Sequence, residues 1–330
     1  MPVWSCRPLL VCSTLLALAA CGRSVPLTLP ASDDGPTPPP PASFTAVPFV
    51  SAHRGGAAYA PENTLMAFRN AARLGVDDFE ADMLVSADGI PVLMHDDTVD
   101  RTTNCNGTVA DLTYAQLREC DAGYWWSPGQ STTSPSEDRS HPLRGLGVAI
   151  PTAEALFALA AEYQGDYAPT VTIEIKINPR DALGLQAAAA LVPLIQSSGI
   201  AERIIVQSFN PAAIDSVKRL DGSIRTLFLT PTAAVAGLTY ATLLGHEFVA
   251  PNIGSPDLTA GFVNAAHAAG KQVVPWTADR ESELLTLIDI GVDGIITNYP
   301  GCLLALQGRL GARPLPPPEV GDAFVSLCRE

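Results

Sequence analysis

The stretch FEADMLVSADGIPVLMHDD (residues 79–97) carries two carboxylates, Glu80 and Asp82, one residue apart on a run that reads as a strand. An Asp88-Gly89 turn follows, then a second short apolar run that ends at His95. Side chains at i and i+2 of a strand share a face, so Glu80 and Asp82 point the same way. A tight turn after the strand brings His95 back beside them. A strand this apolar with two acids on one face needs a partly enclosed, polar place to put them.

The rest of the chain supplies such a place. Strand-like runs at 47–53, 79–84, 170–177, 203–209, 224–230, 248–253, 272–278 and 294–300 alternate with helical stretches. Those stretches include NTLMAFRNAARLG, TAEALFALAAEY, ALGLQAAAALVPLIQSSG, PAAIDSVKRL, TAGFVNAAHAAG and ESELLTLIDIG. Eight strand–helix repeats predict an α/β fold of the (β/α)8 TIM-barrel type. The competitor is an open doubly wound sheet, but the Gly-rich turn after its first strand is absent. Residues 98–150, with GYWWSPG and a Ser/Pro-rich run, read as an insertion after strand 2. A loop of that length within a compact domain is usually functional. A final helix, CLLALQGRL, is expected to close a barrel domain spanning 46–310, with a Pro-rich tail over 311–330.

The N-terminus reads as an export segment. Residues 1–20 hold one charge, Arg7, and an apolar stretch ending in small residues, too short for a membrane span. Leu18-Ala19-Ala20-Cys21 resembles the lipobox of bacterial lipoproteins, which implies cleavage before Cys21 and acylation there. An ordinary signal peptide with an incidental cysteine is the alternative. Residues 21–45, rich in Pro, Ser and Thr, read as a tether. The expectation is a membrane-anchored bacterial lipoprotein facing the extracytoplasmic side. Of seven cysteines, four remain after Cys6, Cys12 and Cys21 are set aside. Pairing nearest neighbours predicts Cys105–Cys120 and Cys302–Cys328. No Cys/His spacing suggests zinc.

The net charge is −14, and removing residues 1–20 takes away only Arg7, leaving −15. This argues against a nucleic-acid partner bound through a basic face. An anionic substrate would need a site made positive locally, by a metal and a few Arg or Lys side chains.

Chemistry in such a barrel sits at the carboxyl ends of the strands. There the sequence places His53, Arg54, Glu80, Asp82, Glu174, Lys176, Gln207 and Trp276. Three carboxylates gathered in a partly desolvated mouth repel one another, and a divalent cation removes that cost. All-oxygen ligation by Glu80, Asp82 and Glu174 suits Ca²⁺ or Mg²⁺ rather than zinc. The plain alternative leaves Glu80 and Asp82 exposed and pairs Glu174 with Lys176 as a core ion pair. His141, His246 and His267 read as structural, Phe209 as core, and Trp125 and Trp126 as packing within the insertion or as contacts to lipid or substrate.

AHRGG…PENTLMAF (52–68), FEADMLVSADGIPVLMHDDTVDRTTN (79–104), TIEIK (172–176), QSF, PWTAD and GVDGIITNYP together resemble the glycerophosphodiester phosphodiesterase family. The resemblance covers roughly 47–305. It implies hydrolysis of glycerophosphodiesters to glycerol 3-phosphate and an alcohol, with one divalent cation. By the same resemblance His53 and His95 form a general acid/base pair, with His53 the preferred base. Glu80, Asp82 and Glu174 are the metal ligands, Arg54 and Lys176 the phosphate contacts, and Trp276 the substrate-side aromatic. Glu62 and Asn63 belong with the substrate-binding set, orienting the site or capping the first helix. The nucleophile is expected to be the neighbouring glycerol hydroxyl, giving a cyclic phosphate opened by water; direct attack by water is the alternative. Two departures stand out. Asp279 replaces a more usual Asn and Asn298 a more usual Asp, which bears on contacts to the glycerol. Two other readings compete: phospholipase D/C-like action on lysolipids or phosphoinositides, and a non-catalytic lipoprotein that binds phosphodiesters.

Overall fold

The computed structural model describes residues 47–129, 135–311 and 327–329. The signal segment, the lipidation position Cys21, the tether and most of the tail lie outside the described residues. Elements run in the order β1 (Phe49–Ala52), α1 (Leu65–Leu74), β2 (Asp78–Val85), β3 (Pro91–Leu93), α2 (Tyr114–Leu117), α3 (Ala153–Ala161), β4 (Thr170–Ile175), α4 (Leu185–Ser197), β5 (Ile204–Ser208), α5 (Pro211–Leu220), β6 (Arg225–Thr230), α6 (Ala234–Leu244), β7 (Phe248–Pro251), α7 (Ala260–Ala268), β8 (Gln272–Val273), α8 (Glu281–Asp289), β9 (Gly294–Thr297) and α9 (Pro300–Leu306).

All strands except β3 pair in parallel, in the order β8-β7-β6-β5-β4-β2-β1-β9. The ends of that path meet through backbone bonds: Asp293 N donates to Val273 O at 2.9 Å and Ile296 N to Pro275 O at 3.1 Å. The sheet is therefore a closed (β/α)8 barrel, and all eight sequence-predicted strands belong to it. β3 pairs antiparallel with β2 through the Asp88-Gly89 turn, where Gly89 takes φ 83° and Ser86 N donates to Ile90 O.

Local chemistry explains the elements. α1 begins at Thr64, whose hydroxyl accepts from Ala67 N, and ends at Gly75 in the left-handed region. It buries Ala67, Phe68, Ala71 and Ala72, one face of the helix, against the outside of the barrel. α6 is absent from the amphipathic pattern for a physical reason. Its residues are apolar nearly all round, and it leaves Val235, Leu243 and Leu244 exposed. Its contact with the barrel is made through small residues; a Cβ on Gly237 would come 2.1 Å from Thr230 Cγ2.

Among the described residues there are three apolar clusters. The largest lies between strands and helices, and a second, including Phe49, Leu227, Phe248 and Ile296, fills the barrel interior. The third joins Leu84 and Val92 of the hairpin to Val99, Val109, Leu117, Val148 and Ile150, so the insertion folds on its own small core over β2 and β3. Cys105 pairs with Cys120 (Cα–Cα 5.6 Å) inside the insertion, and Cys302 with Cys328 (4.8 Å) at the chain end. Among the described residues no helix is long and apolar enough to cross a membrane.

Candidate active site

Register gathers the acids. Asp82 of β2 lies opposite Glu174 of β4, which lies opposite Gln207 of β5, so three polar side chains share one level at the carboxyl end of the barrel. Glu80, two residues earlier on the same face, accepts from Gln207 Nε2 at 2.7 Å and from Arg54 N at 2.8 Å. Glu80 and Asp82 are each 1% exposed and Glu174 6%, which removes the reading of exposed strand acids. The Glu174–Lys176 ion pair of that alternative does form, at 3.0 Å. Ligand oxygens of Glu80, Asp82 and Glu174 all lie within 4.8 Å of one another.

Burial and the Asp82 charge push the Glu80 carboxyl well up, and burial raises Glu174 to about 7 despite Lys176. Burial would raise Asp82 too, but Lys176 and Arg54 hold it well below its ordinary range. Asp82 Oδ1 is buried and accepts no hydrogen bond, with Lys176 Nζ 3.5 Å away; Gln207 Oε1 is likewise buried and unbonded. Clustered acids with free oxygen lone pairs, two of them pushed up by burial, are a donor set that fits a hard divalent cation.

Arg54 reaches the cluster by an unusual backbone. It follows His53 in a 3-10 turn at the end of β1, with φ 53°. Gly55 behind it has φ 84°, and a Cβ there would meet Ala67 Cβ at 2.6 Å, so the turn needs glycine. Arg54 Nη1 donates to Glu62 at 2.9 Å. Its Nε lies 3.1 Å from Asp82 Oδ2 outside hydrogen-bonding alignment, so that contact is Coulombic.

Glu62 and Asn63 are both bonded to other residues of the site. Glu62 accepts from both Arg54 and Arg101, the latter at 2.7 and 2.8 Å. Burial works to raise its carboxyl, and the two guanidinium groups override it and hold it at about 2. Asn63, at φ 57°, donates to Asp82 Oδ2 and accepts from Asp82 N. Thr64, not Asn63, caps α1, because the left-handed backbone at Asn63 turns its amide toward β2.

Both imidazoles are placed beside the acids by the backbone: His53 precedes Arg54, whose N–H bonds Glu80, and His95 follows Met94, whose N–H donates to Asp82 O at 3.0 Å. His95 Nδ1 lies 2.7 Å from Asp96 Oδ1, and Asp96 also accepts from Arg101 Nε at 2.5 Å. His53 Nδ1 lies 2.8 Å from Asn298 Oδ1. Burial and the neighbouring Arg54 charge lower His53 to about 3, so it is neutral at physiological pH. The two departures noted in sequence turn out to meet each other: Asn298 Nδ2 donates to Asp279 Oδ2 at 2.9 Å and Asn298 N to Asp279 Oδ1 at 3.0 Å. They stand behind His53, because Asn298 leaves β9 directly beside the β1 end.

Trp276 is fixed by its indole N–H, which donates to Ala250 O at 2.8 Å. Phe209 departs from its expected core position: it is 37% exposed, edge-on to Trp276 at 5.0 Å, with Lys176 Nζ 5.9 Å from its ring centre. The QSF run places Phe209 two residues beyond Gln207, a strand-parity signal that composition alone hides. Gln207 stands at its expected strand end, whereas Asp96 and Arg101, which bond His95 and Glu62, lie outside the expected set. The remaining histidines are engaged elsewhere: His141 with Ser127 and Ser136, His246 with Thr226 and Asp215, His267 with Asp293. Trp126 donates to Ala57 O, and Trp125 packs on Tyr124, His141 and Arg144. A cavity of about 240 Å³ opens between insertion and β4 loop, lined by Leu84, Asp97, Val109, Ala110, Asn178 and Arg180 among others.

A closed barrel with acids, imidazoles and cations gathered at its carboxyl strand ends has the layout of a barrel enzyme. Residues 53–302 match the family model described as the glycerophosphoryl diester phosphodiesterase family, and the chain belongs to that family. A glycerophosphodiester phosphodiesterase of Caldanaerobacter subterraneus subsp. tengcongensis is 33% identical over 265 residues, covering 79% of this chain and 98% of that protein. One from Bacillus subtilis is 29% identical, covering 76% and 83%. Among solved structures, an Oleispira antarctica phosphodiesterase in complex with the product sn-glycerol-3-phosphate aligns with TM-score 0.68 at 27% identity, over 79% of this chain and 97% of that one.

Proposed function

We propose that the protein hydrolyses glycerophosphodiesters to glycerol 3-phosphate and an alcohol, with Glu80, Asp82 and Glu174 holding one Ca²⁺ or Mg²⁺. The observation that carries this reading is the three-acid cluster, its ligand oxygens within 4.8 Å, with His53 and His95 each adjoining a residue whose N–H bonds one of the acids. A bound divalent cation would neutralise charge on the non-bridging phosphoryl oxygens. Three ionised acids, Arg54, Lys176 and such a cation together carry one net positive charge, matching the single negative charge of a phosphodiester.

The two histidines differ in what stands behind them, and the difference assigns their roles. His53 is backed by a neutral amide and kept uncharged by burial, so its Nε2 accepts a proton from the nucleophilic hydroxyl. His95 is backed by the Asp96 carboxylate, which compensates the charge of an imidazolium, so it protonates the departing alcohol oxygen. The nucleophile is the neighbouring glycerol hydroxyl: its oxygen bonds to phosphorus as the P–O bond to the alcohol breaks. The resulting cyclic phosphate is opened by water with the two proton transfers reversed.

The test is turnover of a panel of glycerophosphodiesters, with chelator and metal add-back. Glycerol 3-phosphate release that stops with chelator and returns with metal supports the reading, and no turnover of any member after metal addition ends it. Export and acylation at Cys21 form part of the same proposal, supported by two disulfides that require an oxidising compartment. Labelled fatty acid incorporated by the wild type but not by Cys21→Ser tests it.

A further inference from the structure

Behind His53 runs a line of contacts that ends beyond the family-matched segment. Asn298 links His53 Nδ1 to the Asp279 carboxylate, and Arg329 Nη1 stands 3.5 Å from Asp279 Oδ2. Arg329 is carried there by its neighbour Cys328, bonded to Cys302 at the start of α9. The same short segment is held by the Tyr59 hydroxyl, which donates to Leu327 O at 2.5 Å, and by a bridge between Arg280 and Arg329.

Donor and acceptor chemistry fixes the direction of every link. An ionised carboxylate only accepts, so Asn298 must turn its NH₂ toward Asp279. Its carbonyl oxygen must then face His53, and a carbonyl also only accepts. His53 Nδ1 must therefore carry the proton, which leaves the Nε2 lone pair free. Asn298 is 4% exposed and Asp279 6%, so water does not compete for these bonds. We propose that Asp279 and Asn298, with Arg329 returned by the Cys302–Cys328 disulfide, are positioning residues that lock His53 in the Nδ1–H tautomer. The inference rests on His53 being the proton acceptor. It makes the chain end part of the active site's support, although Arg329 touches no reacting atom.

The test reads the tautomer directly, by long-range ¹H–¹⁵N correlation in the full-length protein labelled at histidine, and needs no turnover. The wild type is expected to show His53 as Nδ1–H. Asp279→Asn presents either an oxygen or a nitrogen to Asn298, so it should mix the tautomers and lower kcat about tenfold with KM little changed. The exchange variant Asp279→Asn/Asn298→Asp keeps an acceptor on Nδ1–H and should restore both readings. Arg329→Ala and Cys328→Ser should lower kcat in the same sense by about two- to fivefold, with Arg329→Lys recovering it. An Nε2–H tautomer in the wild type overturns the proposal whether or not a variant folds. So does an Asp279→Asn protein with unchanged tautomer and kcat. An inactive wild type with the Nδ1–H tautomer would instead overturn the hydrolase reading alone.

Discussion

Glu80 and Glu174 sit where burial favours their neutral forms, and a cation must displace those protons to bind. With Glu174 raised to about 7, protons compete across neutrality: metal affinity should rise from pH 6 to 8, with protons released on binding. Titration calorimetry in buffers of differing ionisation enthalpy measures this, and an affinity flat over that range sinks it. His53→Ala and His95→Ala should each lower kcat by about 10²–10⁴-fold in stopped assays. Loss of less than threefold would remove that residue from the chemistry. Phe209→Ala should raise KM several-fold while sparing kcat, because its exposed ring stands beside Trp276 and Lys176 instead of within the core. The gathering of the three acids was legible from strand parity. The particular partners of Glu62, Asn63 and the Asp279–Asn298 pair were not legible, since they lie 19 to 39 residues away and only folding brings them near.

Among the elements, the β2–β3 hairpin was readable because an Asp-Gly turn between apolar runs has one common geometry. α6 left no trace in the amphipathic pattern because it meets the barrel through alanine and glycine and exposes its larger residues. The insertion was expected over 98–150, but its small core and the cavity beside it were not legible, because both are made by contacts with β2 and the loop after β4. Two of the cavity's lining residues, Leu84 and Asn178, follow Asp82 and Lys176 by two positions in the chain, which makes the cavity a candidate for holding the alcohol group. Ala110→Trp, which fills it, should reorder KM values among glycerophosphodiesters of different alcohols while leaving the smallest nearly unchanged; an unaltered order would show the cavity is not used. The Cys105–Cys120 bond closes a separation of 15 residues, worth about 3 kcal/mol in the chain-entropy model. Replacing both cysteines by serine should lower Tm by several degrees in calorimetry.

For the whole molecule, eight strands closed into a barrel put side chains from β1, β2, β4, β5 and β9 around one mouth, although they are spread across nearly 250 residues of chain. The net charge of −14 opposes an anionic substrate at long range, so kcat/KM should not fall with added salt as it does in electrostatically steered enzymes. A steep decline between 20 and 200 mM salt, as rough bounds, would contradict this. The alternation of strand and helix, the inward face of the acids and the pairing of cysteines follow from periodicity, spacing and composition, which act along the chain. The raised carboxyls of Glu80 and Glu174, the tautomer of His53 and the return of Arg329 to Asp279 do not. Those depend on burial and on hydrogen bonds between residues far apart in the chain, and both exist only once the barrel has closed.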